Sequence, residues 1–66
     1  MKKGDLVTYL PPHCENRIQA VVRRAHRNGD ATVETRFMLN DDGNLNVNAG
    51  YLGYRYRVPA HMIERH

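Results

Sequence analysis

The sequence predicts an all-β domain of five short strands, and three observations carry that prediction. Short apolar runs alternate with turn residues, and few windows show helical periodicity. Pro11, Pro12 and Pro59 interrupt the chain. An Asn28-Gly29 pair separates two alternating runs, which is the strongest short hairpin signal because both residues take positive φ cheaply.

The first strand covers residues 5–10. It follows Gly4 and stops at Pro11-Pro12, which cannot continue a ladder, so residues 11–16 form a loop. The second strand, 17–26, is rich in Val and Ile, and the third, 31–39, alternates cleanly. With Asn28 and Gly29 as the central pair of a two-residue turn, Arg27 faces Asp30, Val22 opposes Thr35, Ala20 opposes Phe37 and Ile18 opposes Leu39. Val33 shares that apolar face, and Arg24 falls at its end. The other face sets Arg23 against Glu34 and Gln19 against Met38. Asn40-Asp41-Asp42-Gly43-Asn44 reads as a second turn, after which Leu45 and Val47 extend the sheet briefly. The fourth strand, 51–58, carries Tyr54, Tyr56 and Val58 on one face and Arg55 and Arg57 on the other. Residues 59–62 allow one short 3-10 turn, and 63–65 a last strand. The whole, residues 1–66, is one domain.

A chain of 66 residues has one small core and buries only about 60% of its unfolded surface. Cys14 is the single cysteine, so no intrachain disulfide forms, and a lone thiol suits a reducing cytoplasm. Met1-Lys2-Lys3 is followed by Gly4-Asp5 and not by the apolar run of a signal peptide. No stretch approaches the ~20 apolar residues of a membrane span, so a membrane is not an expected partner. Lys and Arg exceed Asp and Glu by three charges, and eight of the ten basic residues are arginine. Arginine grips phosphate in two-point geometry and stacks on bases, so nucleic acid is an expected partner.

The opening Gly4-Asp5-Leu6-Val7, the five strands and the turn before the last strand resemble the SH3-like barrel plan. Within that plan, Pro59, Ile63, Glu64 and Arg65 match the ending of the plasmid-borne type II dihydrofolate reductases. The resemblance implies a closed five-stranded barrel and origin on a mobile element. It spans most of the chain apart from an insertion at 40–52. Those reductases carry Val-Gln-Ile-Tyr before the shared proline, as the floor of a tetrameric pore. Here Arg55-Tyr56-Arg57-Val58 stand in its place. The resemblance therefore implies the fold and not the activity.

Tyr54-Arg55-Tyr56-Arg57 leaves two dispositions open: rings outward, where they stack bases, or rings filling the core with the arginines in water. Arg23, Arg24 and Arg27 near the hairpin would join Arg55 and Arg57 in one phosphate-binding stripe. The alternative is a protein partner. It would dock in a groove between the 11–16 and 40–52 loops, with Tyr9, Tyr51 and Tyr54 as contacts. His13, Cys14, His26, His61 and His66 lack metal-ligand spacing, and Met38 spoils a calcium-loop reading of 40–48. His13-Cys14 are poor candidates for a nucleophile–base pair. A barrel this small lacks a pocket of the usual ~300 Å³ unless a homo-oligomer builds one between subunits. The expected role is a non-catalytic binding module with no cofactor.

Overall fold

The computed structural model describes residues 1–65. One antiparallel sheet holds five strands: β1 (Leu6–Tyr9), β2 (Ile18–Ala25), β3 (Ala31–Met38), β4 (Arg55–Val58) and β5 (Ile63–Arg65). Their order in space is β4-β3-β2-β1-β5, so β4 and β5 are the two edges. Among the described residues no ladder joins those edges, and the sheet is not closed into a barrel. The expected SH3-like barrel is thereby corrected, and the structural basis for the reductase resemblance goes with it. The reason lies in the edges and not in Pro59 or the 3-10 turn at Ala60–Met62, which the barrel plan shares. The edge strands span only four and three residues.

The hairpin forms where Asn28-Gly29 places it, but with a different turn. Gly29 N–H donates to His26 O at 3.1 Å, and His26 N–H donates to Asp30 O at 2.9 Å. Only Gly29, at φ 95°, takes positive φ there. Three residues therefore separate His26 from Asp30, as in a type I turn closed by a glycine bulge. The pairing moves accordingly: Ala25 meets Ala31, Val22 meets Val33 and Ala20 meets Thr35. Irregularities between Val22 and Arg24, and again between Gln19 and Ala20, shift the register and shift it back. They keep Ala20, Val22, Val33 and Thr35 together on the buried face. Arg24 and Ala25, beyond the first bulge, are exposed.

The core is built from small side chains. Val7, Tyr9, Ala20, Val22, Ala31, Val33 and Val58 are buried, with Met1, Ile18, Met62 and Ile63 packed against them. Tyr54 and Tyr56 are exposed and take no part in it. β4 is shorter than its apolar pattern suggested because Thr35 holds its start. The Thr35 hydroxyl donates to Tyr54 O at 3.1 Å and accepts from Tyr54 N–H at 2.9 Å. Gly53 N–H donates to Thr35 O at 2.9 Å, which ends regular pairing there. Leu45 makes one isolated bridge to Leu39, and Val47–Ala49 is a 3-10 turn in place of a strand. Among the described residues no helix is long and apolar enough to cross a membrane.

Candidate functional site

The arginines come first, because the sequence pointed to them. Glu34 on β3 gathers Arg23 and Arg55, each at 3.3 Å, and also accepts from the Tyr51 hydroxyl. Together these donors hold the Glu34 carboxyl below its ordinary value, with the Tyr51 hydrogen bond contributing most. The same bond pushes the Tyr51 phenol up. Asp30 accepts from Asn28 and Ala60 N–H and pairs with Arg57 at 3.2 Å, so its carboxyl also sits low, chiefly through Asn28. Arg24 and Arg27 are exposed at the far end of the hairpin and make no ion pair among the described residues. The predicted phosphate stripe is thus broken into a knot on Glu34, a pair on Asp30 and two separate side chains. Tyr54, just before β4, and Tyr56 within it are both exposed, with ring centroids 6.3 Å apart. They lie beside guanidiniums already held by carboxylates, and the nucleic-acid reading is not carried forward.

The expected protein groove is also relocated. Between the two loops named for it lies a polar hollow lined by Asn16, Asn40, Asp41 and Asp42. Of the three tyrosines assigned to that groove, Tyr51 packs edge-on against Phe37 at 5.6 Å, and Tyr54 sits beside Tyr56. Tyr9 instead belongs to an apolar groove of about 470 Å³ on another side of the molecule. A single chain therefore does provide a cavity of ligand size, against the expectation that only an oligomer would.

One wall of that groove is the β1–β2 loop. Cys14 N–H donates to Pro11 O at 3.2 Å, and His13 takes φ 67°. A turn with proline second and positive φ third has type II geometry, and it presents Pro11, Pro12 and Cys14 to the groove. β4 and the turn after it also line the groove, through Tyr56, Val58, Pro59 and Met62. Tyr9 and Ile18, at the facing ends of β1 and β2, line it as well.

Tyr9 is 4% exposed, yet its hydroxyl has no hydrogen-bond partner among the described residues. Among the described residues no fully buried side-chain oxygen lacks a partner, so the unpartnered phenol oxygen is accessible to solvent. Burial pushes the Tyr9 phenol above its ordinary 10.0, and nearby Tyr56 and Cys14 push the same way. Sequence reasoning found Tyr56 but assigned it to bases. It missed Pro59 and Met62 as wall residues, and a weak signal existed in three prolines flanking two tyrosine-bearing strands.

Among the described residues no group of three or more His, Cys, Asp or Glu is arranged to hold a metal ion. His66, one of the ligands considered, lies outside the described residues. No family model, no curated protein and no solved structure matches the chain. The reductase resemblance and the mobile-element origin it implied accordingly have no support.

Proposed function

We propose that this chain is a non-catalytic binding module whose apolar groove receives an extended segment of a partner protein. The observation that carries the reading is the pairing of apolar walls with one largely buried tyrosine, Tyr9, whose accessible hydroxyl has no partner among the described residues. An exposed apolar cleft of this kind is costly to leave in water, and a ligand that covers it recovers about 25 cal/mol per Å² of apolar surface. Its volume of about 470 Å³ lies within the ~300–1,000 Å³ of ordinary ligand sites. The lining holds no carboxylate or imidazole to serve as a general base, which favours binding over chemistry. Tyr56, an aromatic half exposed at the rim, is the kind of side chain that anchors protein contacts.

Peptides selected from a displayed random library, titrated into the ¹⁵N-labelled protein, test this. Selected peptides should perturb the amide signals of Cys14, Ile18, Tyr56 and Met62. Tyr56→Ala and Met62→Lys should each weaken binding by roughly ten-fold or more, while Arg23→Ala leaves it unchanged. Perturbations confined to the Glu34 knot or to the polar hollow would overturn the reading.

A further inference from the structure

We infer that Asn28 is a modification site: its side-chain amide is lost to deamidation through the Gly29 backbone nitrogen, and the Asp30 carboxylate restrains that reaction while the hairpin is folded. The site lies at the tip of the β2–β3 hairpin and is independent of what the groove binds.

Deamidation begins when the Gly29 nitrogen gives its proton to solvent base and attacks Asn28 Cγ. The new N–C bond closes an imide ring. The Cγ–Nδ2 bond then breaks and Nδ2, having taken up a proton, departs as ammonia. Water opens either imide carbonyl to leave aspartate or isoaspartate, and nothing is oxidised or reduced. A side chain on the following residue hinders the attack, and glycine has none. The chain has six asparagines, and Arg17, Asp41, Leu45, Val47 and Ala49 follow the other five. Asp42 also precedes a glycine, but it carries no amide to lose.

Asn28 and Gly29 are both exposed, so water and base reach them. The fold itself requires the glycine. Gly29 takes φ 95°, and a Cβ built on it would lie 3.1 Å from the Cβ of Ala60. The same turn holds the reaction back. Gly29 N–H donates to His26 O at 3.1 Å and must leave it to give up its proton. Asn28 Nδ2 donates to Asp30 Oδ2 at 3.1 Å and must leave it to depart. Negative charge that gathers during attack on Cγ is repelled by the same carboxylate. Once the amide is gone, a second carboxylate faces Asp30, which holds Arg57 and Ala60 N–H. The product therefore loosens the hairpin tip from the turn before β5.

Mass spectrometry of the intact chain and its peptides, during incubation in mildly alkaline buffer, tests this. The chain should gain one mass unit at Asn28 ahead of every other asparagine, and Asn28→Asp should gain none there. In urea strong enough to unfold the chain, the rate should exceed the folded rate at least about ten-fold, since two hydrogen bonds no longer oppose it. Asp30→Ala removes the carboxylate but keeps the backbone N–H on Asn28 Oδ1, and folded it should deamidate about three- to ten-fold faster. Arg57→Ala leaves the bond between Asn28 and Asp30 in place and should change the rate less than about two-fold. In Asn28→Asp the Ala60 amide should exchange faster with solvent. Product first at another asparagine, equal rates folded and unfolded, or acceleration no greater in Asp30→Ala than in Arg57→Ala overturns the inference. An unchanged Ala60 amide overturns the loosening. The urea comparison needs no variant and decides even where Asp30→Ala fails to fold.

Discussion

The polar groups around Glu34 and those around Tyr9 lie on either side of β4, and they are satisfied to very different degrees. On one side Glu34 and Asp30 gather three arginines, a tyrosine hydroxyl, an asparagine amide and a backbone N–H. On the other side apolar walls enclose a phenol with nothing to bond. Side-chain polar groups that find partners within the chain serve to join elements. Here Glu34 ties β2, β3, β4 and the 51–53 segment, and Asp30 ties the hairpin tip to the turn before β5. A nearly buried polar group without a protein partner contributes nothing to joining elements and is left for water or a ligand to satisfy. The abundance of arginine drew attention to the first region, yet the second is the one we propose as the binding site.

The largest effect expected comes from Thr35, whose hydroxyl gives β4 its starting point. Thr35→Val keeps the shape and leaves Tyr54 N–H without an acceptor. It should destabilise the fold by about 1–3 kcal/mol, read by urea denaturation with fluorescence detection. Because β4 forms a wall of the groove, the same variant should loosen Tyr56 and raise amide exchange from Tyr54 to Val58. Unchanged stability would mean that β4 is held by the carboxylate side alone.

Much of the sheet was legible in the sequence, and the reasons differ by element. Asn28-Gly29 and the alternation after it were enough to find the hairpin and its buried Val22–Val33 face. The exact register was not legible. It depends on whether glycine alone or both turn residues take positive φ, and on two strand irregularities that have no Gly or Pro to announce them. The five strands were legible too, but closure was not, since closure depends on whether two edges meet in space. The groove could not be read, because its walls come from segments as far apart as Tyr9, Cys14, Tyr56 and Met62. Arginine identity was visible in the sequence, whereas the carboxylates that engage those arginines became visible only with the register.

A smaller effect should appear on the carboxylate side and only in acid. Hydrogen bonds from Tyr51 and Arg23 hold the folded Glu34 below its ordinary 4.5, and Asp30 lies below 3.8 for similar reasons. Groups with lowered folded values stabilise fully above the unfolded value, and that contribution is lost as pH falls through the folded one. Stability should therefore be level near neutrality and decline below about pH 4.5, and Glu34→Gln should flatten that decline. Thermal midpoints from pH 7 to pH 3 measure it. Because the pairs are exposed and screened, 0.5 M salt should shrink the difference between the two proteins. If the acid limb were identical in Glu34→Gln, the knot would be ornamental to folding and the contrast between the two sides would lose half its basis.

The smallest expected change in stability is the most informative. In Tyr9→Phe the ring stays packed among Ile18, Val58 and Met62, and only a hydroxyl with no partner among the described residues is removed. A hydroxyl satisfied inside the protein would cost roughly 1 kcal/mol to delete, but this one should cost nothing, or return a few tenths, since its partial desolvation is relieved. Urea denaturation of the two proteins at pH 7 decides the matter, with a loss above about 1 kcal/mol pointing to a partner for the phenol in the free protein. A second reading of the same variant comes from ultraviolet titration. Burial raises the Tyr9 pKa and the Glu34 hydrogen bond raises that of Tyr51, so the late part of the titration holds both and should shrink by one phenol in Tyr9→Phe. A phenol that is dispensable for folding, hard to ionise and open to the groove has its chemistry directed outward. Across β4, the Glu34 carboxylate accepts from Arg23, Arg55 and Tyr51, so its chemistry is directed inward to the fold.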